Sequence, residues 1–394
     1  MRPLKSLALS LCLSLGSLPV HAAPQTGACS APACGTEFVY VGTHTGGPGQ
    51  GVFGARFDEE TGRLTSLGLA AEIERPTWMV VDPNRPFIYA VSETGNDGHS
   101  QAQVYSLQVN PAGGKLTVLN AVSSGGGGAT HLSLDAKSKT LFVANYGTGQ
   151  VSALPVLADG RLAPPTSVQS NYGVGPKPRQ SSPHAHSVVI DPSGRFLLSA
   201  DLGADRVFVY RFDPAARTLA PADPPFLAVP PGEGPRHLAF APDGRFVFLD
   251  TELSGEVSSL RWDARRGRLE QVQTLSTAAA TYAGQKSAAE IAVSKDGRYL
   301  YVSNRGEDSI VTYAVNGQTG MLTEVQRVDA GGKSPWSFSL APSGRWMIVA
   351  DEASSSLVVF SRDPASGKLS PSGQTLSVPK PVNVVFYPSA AAAK

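Results

Sequence analysis

The chain is predicted to be all-β: a seven-bladed β-propeller with four antiparallel strands per blade. Three observations lead there. A pattern of polar residue, short apolar strand, Gly turn and second apolar strand recurs with a period of about fifty residues, the mark of stacked or radial repeats. Each full unit holds four alternating apolar stretches, as half-buried strands do. The two ends carry complementary defects: the first unit lacks an innermost strand, and residues 382–387 form a strand without a unit. A C-terminal strand that completes the first blade closes the ring and leaves only short, protected edges. A sandwich or a pair of domains does not account for that complementarity.

The units follow in order. The first opens with Glu37-Phe38-Val39-Tyr40-Val41-Gly42 and the second with Arg75-Pro76-Thr77-Trp78-Met79. The third starts at Thr130-His131, the fourth at His184, the fifth at Arg236, the sixth at Glu290 and the seventh at Trp336. Asp243-Gly244-Arg245, Asp296-Gly297-Arg298 and Ser343-Gly344-Arg345 supply tight turns. Helix signals are nearly absent.

Ahead of the propeller (37–388), residues 1–22 read as an export signal. Arg2 and Lys5 precede an apolar run over 7–18, and Val20-His21-Ala22 ends in a small-x-small cleavage pattern. Cys12 leaves with that segment. Cys29 and Cys34 remain on an arm over 23–36, where an oxidising compartment favours a disulfide. Residues 389–394 are expected to be a disordered tail. No interior run is long enough to span a bilayer, so a periplasmic protein free of the membrane is expected after cleavage. Charged residues make up 16% and the net charge is +1, which argues against a broad nucleic-acid surface. A closed ring has no obligatory pairing edge, so a monomer is expected.

Let the strands of a blade be a to d from the channel outward. Antiparallel neighbours bring the start of strand a and the end of strand b to one face. The unusual residues fall there. His131, His184, His186, Arg236, His237 and Glu290 stand at strand-a starts. Glu93, Asn145, Asp201, Glu252, Asn304 with Arg305, and Asp351 stand at strand-b ends. Ringing one mouth of the channel, they predict a concave polar pocket. For Asn145, Asp201 and Asp351 a bond to turn backbone is expected rather than a role in the pocket. His184-x-His186 offers too few ligands for a metal without carboxylates close by, and no metal is expected. No Gly-x-Ser-x-Gly elbow occurs. The Gly-rich run 125–128 lacks a following P-loop Lys-Ser/Thr and reads as a connector between blades.

At these motifs the sequence resembles the lactonase family of seven-bladed propellers, which includes bacterial 6-phosphogluconolactonases and fungal carboxy-muconate lactonizing enzymes. The resemblance runs from Val39 to Phe386. It is carried by Val143-Ala144-Asn145-Tyr146-Gly147, Pro183-His184-Ala185-His186-Ser187-Val188, Asp201-Leu202-Gly203, Gly234-Pro235-Arg236-His237-Leu238-Ala239-Phe240, Ala288-Ala289-Glu290-Ile291 and Val302-Ser303-Asn304-Arg305-Gly306. It implies catalytic groups at His186 or His184, Glu252 and Arg305. From their place at the mouth, His131, Arg236, His237, Glu290, Asn304 and Trp336 are expected on the substrate, and no cofactor is expected, because ring-strained esters already react readily with water. Two departures matter. Thr251-Glu252-Leu253 stands where the family tends to have Asn-Glu-Leu. Trp336 follows Pro335 where an Arg is often found, which removes a cation and speaks against a phosphorylated or polyanionic substrate. With an export signal, the expected substrate is an unphosphorylated sugar lactone such as glucono-1,5-lactone. A phosphogluconolactonase, a muconate lactonizing enzyme and a non-enzymatic binding platform are the alternatives.

Overall fold

Short apolar stretches closed by Gly turns leave each segment able to pair only with its neighbours, and the chain folds that way. The computed structural model describes residues 36–387. The expected signal, most of the arm with Cys29 and Cys34, and the tail lie outside the described residues. Within them the chain forms seven four-stranded antiparallel sheets. Among the described residues the single helical element is the 3₁₀ turn Pro178–Gln180. Six blades are consecutive in sequence. The other has Pro381–Tyr387 as strand a, followed by Thr36–Thr43, Gly51–Asp58 and Arg63–Glu72. The C-terminal strand therefore closes the ring, as the complementary defects predict. Asn383 adds a clasp there: its Oδ1 accepts from Met79 N of the second blade at 3.0 Å.

Adjacent blades are joined by apolar clusters. Phe38, Tyr40, Met79 and Ile88 pack between the first and second blades. Val39, Phe57, Ile348 and Val359 pack between the first and seventh. Burying such side chains is worth about 1.5–3 kcal/mol each relative to exposure. The ring interfaces thus hold the inner strands at fixed positions around the channel.

The register of strands a and b sets the mouth. Ala129 pairs with Asn145, Ala185 with Asp201, Pro235 with Thr251, Ala288 with Asn304 and Pro335 with Asp351. In all five blades the register then slips, at Thr130, His186, Arg236-His237, Ala289-Glu290 and Trp336 respectively. A bulge leaves residues unpaired and re-aims their side chains. Side chains of strand b take up backbone donors so released: Asp250 accepts from His237 N at 2.7 Å and Ser303 Oγ from Glu290 N at 2.9 Å.

Candidate active site

Past the slip, Leu132, Val188, Leu238, Ile291 and Phe338 lie opposite Val143, Ser199, Leu249, Val302 and Val349. Met79 opposite Ala90 and Val384 opposite Val41 complete the set. The residues one step before these form a ring around the channel: Asn383, Trp78, His131, Ser187, His237, Glu290 and Ser337. Two steps before stand Val382, Thr77, Thr130, His186, Arg236, Ala289 and Trp336, nearer the mouth. The two levels behave differently.

The upper level opens into a cavity of about 670 Å³. His186, Arg236, His237, Glu252, Arg305 and Trp336 line it, as do Trp78, Tyr146 and Arg179. Glu252 is its electrostatic centre. Its Oε1 accepts from Arg179 Nη1 at 2.6 Å, and its Oε2 lies 3.1 Å from Arg236 Nε, 3.2 Å from Arg305 Nη2 and 3.6 Å from His186 Nε2. Burial acts to raise its pKa, but Arg305, His186 and Arg236 outweigh that and hold the carboxyl well below its usual range. Glu252 is thus a permanent anion that organises three guanidinium groups. Arg236 is almost wholly buried and also donates to Ala289 O. Arg305 stands 4.2 Å from the Trp336 ring centroid, a cation–π contact that occupies one indole face.

Local sequence explains these placements. Arg305 follows strand b of the sixth blade in Asn304-Arg305-Gly306. Asn304 Oδ1 accepts from Gly306 N and Glu307 N at 3.0 and 3.2 Å and ties the turn. A Cβ on Gly306 would collide with the Gln285 carbonyl, so only glycine lets the incoming loop pack there. Glu252 occupies the matching position of the fifth blade, where its N–H donates to Gly234 O at 2.8 Å.

His186 is buried among Tyr146, His237 and Glu252. Burial, reinforced by the Arg236 charge, pushes its pKa down to about 4, so the ring is neutral at pH 7. With Nε2–H toward Glu252, Nδ1 keeps its lone pair, and Nδ1 has no partner among the described residues. Arg305 Nε is likewise without one. Two side chains that flank the same carboxylate oxygen thus each keep one unpartnered nitrogen, an acceptor on His186 and a donor on Arg305.

The lower level is a packed floor. Trp78 stacks on His131 at 4.3 Å between centroids, and His131 meets His237 at 5.1 Å. His237 Nδ1 lies 3.3 Å from Glu290 Oε1, and Ser337 Oγ donates to Glu290 Oε2 at 2.8 Å. Burial holds His131 and His237 well below the ordinary imidazole value and raises Glu290 to about 7.

Four of the ten expected site residues do not line the cavity. His131 and Glu290 belong to the floor: His131 Nδ1 accepts from Val188 N at 3.4 Å, and the Glu290 oxygens meet His237 and Ser337. Asn304 spends its amide on the turn and on Thr277 Oγ1 at 2.9 Å. On a regular strand alternate residues share a face, which would aim His184 the same way as His186. Strand a begins only at Ala185 and slips at His186, so the rule does not apply. His184 instead stacks on Tyr146 at 4.5 Å and places Nδ1 2.7 Å from Tyr146 O. Among the strand-b ends, Asn145 and Asp201 bond to turn groups, while both Asp351 oxygens lack partners among the described residues.

Sequence reasoning passed over Trp78, Tyr146 and Arg179. Trp78 and Tyr146 stand at a strand-a start and just after a strand-b end, so the rule that picked the others reaches them. Arg179 sits on the 3₁₀ turn in a connection with no counterpart in other blades, and nothing in the repeat points to it.

The family model described as Lactonase, 7-bladed beta-propeller matches residues 38–386. The chain belongs to this lactonase family. Among relatives, it is 34% identical to a 6-phosphogluconolactonase of Bacillus subtilis over 89% of this chain and 99% of that one. Among solved structures, the periplasmic gluconolactonase PpgL of Pseudomonas aeruginosa superposes with a TM-score of 0.85 at 39% identity, over 90% of this chain and 99% of its own. A Lactobacillus plantarum protein superposes with a TM-score of 0.83 at 32% identity, over 90% and 100%. Such lactonases share the ring that brings His186, Glu252, Arg236 and Arg305 into one mouth here.

Proposed function

We propose that this lactonase hydrolyses an unphosphorylated aldonolactone such as glucono-1,5-lactone, outside the cytoplasm. The observation that carries the reading is that His186 and Arg305 converge on Glu252 Oε2 through Nε2 and Nη2, while His186 Nδ1 and Arg305 Nε have no partner among the described residues. Ester hydrolysis needs that pair. Neutral His186 takes a proton from water as the water oxygen attacks the lactone carbonyl carbon. Negative charge builds on the carbonyl oxygen, and Arg305 with Arg236 stabilises it in a site where few waters compete. The ring C–O bond then breaks, the proton passes from His186 to the departing alkoxide, and the hydroxy acid leaves. Glu252 positions the imidazole and both guanidinium groups rather than acting as base, because it is held ionised and hydrogen-bonded.

Similarity to a periplasmic gluconolactonase and the export signal read at the N-terminus support the location and the lack of a phosphate. Trp336, where a further arginine is expected in the family, supports the same substrate. A phosphorylated lactone is the second reading, favoured by the half-exposed Arg179 in the mouth. The test is proton release by the mature protein on fresh glucono-1,5-lactone and 6-phosphogluconolactone, above the spontaneous rate, beside His186→Ala. The expected result is acceleration on the first that falls by about 10²–10⁴-fold in the variant. No acceleration on either lactone would refute the reading.

A further inference from the structure

The reactive side chains occupy only part of the mouth. His186, Arg236, Glu252 and Arg305 come from the fourth to sixth blades, yet the cavity extends across the channel to His44, Arg75, Thr77 and Glu93 on the first and second. At about 670 Å³ the cavity has room for more than a single sugar ring. We propose that the far wall is a second sugar subsite, and that the preferred substrates are lactones of glycosylated aldonic acids, that is, disaccharide lactones. This rests on the lactonase reading above.

The wall is built rather than merely exposed. Arg75 adopts φ +46°, a conformation that non-glycine residues rarely take. Its N–H donates to Thr45 O at 2.8 Å, and its carbonyl accepts from Thr77 N and Glu93 N at 2.8 and 2.9 Å. Its Nε donates to Glu93 O at 3.0 Å, and Nη2 lies 3.7 Å from Glu93 Oε1. Nη1 remains free. Asn96 fixes Glu93 through Oε1 at 2.8 Å. Next in the chain, Thr77 Oγ1 and Trp78 Nε1 are buried without partners among the described residues, and Thr77 is only 5% exposed.

Charge decides the ligand class. Arg75 is matched by Glu93, and His44 lies 3.5 Å from Glu352. The far wall therefore offers donors and acceptors in balance, whereas the reactive wall sets three guanidinium groups against one carboxylate. A balanced wall suits a neutral polyol, whose hydroxyls both donate and accept; a phosphate would need the cationic excess that is found only on the other side.

The experiment compares kcat/KM for fresh cellobiono-1,5-lactone, glucono-1,5-lactone and 6-phosphogluconolactone in the wild type and Arg75→Ala. The expected result is a preference for the disaccharide lactone by at least about threefold. The variant should lose about tenfold on it, the worth of one or two hydrogen bonds, and far less on glucono-1,5-lactone. Should the variant fold poorly, calorimetry on the wild type decides: cellobionate is expected to bind more tightly than gluconate. The inference is overturned if gluconolactone is turned over better than the disaccharide, if the phosphorylated lactone is preferred, or if Arg75→Ala lowers both sugar lactones equally. If no lactone is hydrolysed, the lactonase reading fails and takes this one with it.

Discussion

If His186 is the base, the acid limb of the pH–rate profile carries its signature. An ordinary histidine protonates near pH 6.5. Burial and the Arg236 charge lower His186 to about 4. Only the neutral ring accepts a proton, so kcat/KM falls as pH drops through that value. It should be flat from pH 7 to about 5, half-maximal near 4 and about a tenth of maximal at 3. An unperturbed histidine would already have lost more than about nine-tenths of the activity at pH 5. Arg236→Gln removes the second cause of the shift, so its limb should move upward, toward 6.5, on top of any loss in rate. The assay is initial-rate proton release on fresh glucono-1,5-lactone from pH 3 to 7, with circular dichroism at each pH to exclude unfolding. That control matters because the same shift is a stability term: a neutral buried histidine stabilises the fold above about pH 6.5 and is lost as pH falls toward 4. A limb centred near 6.5 in the folded wild type, or one that Arg236→Gln leaves in place, would refute His186 as the base.

Other outcomes follow from the same geometry. Glu252→Gln leaves the nearly buried Arg236 and Arg305 without their counter-ion, so it should destabilise by about 3–5 kcal/mol in denaturant titrations and abolish most activity. Arg179 is half exposed, so Arg179→Ala should cost under about 1 kcal/mol of stability. It should still lower kcat/KM by about tenfold through the loosened Glu252. Asp351 is buried with both oxygens unpartnered among the described residues, and burial raises it to about 8. Its protonated form is favoured by folding, so the stability it permits is full below about pH 4 and is lost as pH rises toward 8. Asn145 and Asn304 hold the same register position in other blades, so Asp351→Asn should stabilise by at least about 1 kcal/mol at pH 8 and little at pH 4. An equal effect at both pH values would remove the titration as its cause.

The repeat made most of the ring legible. Apolar alternation, Gly turns and the unmatched strand at 382–387 lead directly to seven blades and their closure, because strand pairing between neighbours is a local affair. The rule that strand-a starts and strand-b ends share a face also found Glu252, Arg236, His186 and Arg305. It failed where local geometry departs from regular alternation. His184 and His186 look equivalent in sequence, but one lies before the strand and the other in its bulge.

Depth was the other missing quantity. Which residues line the cavity and which form its floor depends on a register slip repeated in five blades, and no pattern of residue types records that slip. His237 and Glu290 are adjacent to Arg236 and Ala289 in sequence terms, yet the bulge sets them at the level that packs across the channel. Arg179 arrives from a connection outside the repeat and meets a carboxylate 73 residues away. The sequence alone therefore determined the ring, its closure and the mouth at which polar groups gather, since these follow from periodicity. The tertiary structure decided which histidine is left neutral with a free nitrogen, and which carboxylate is pinned as an anion. Those properties come from burial and from charges that distant blades bring together.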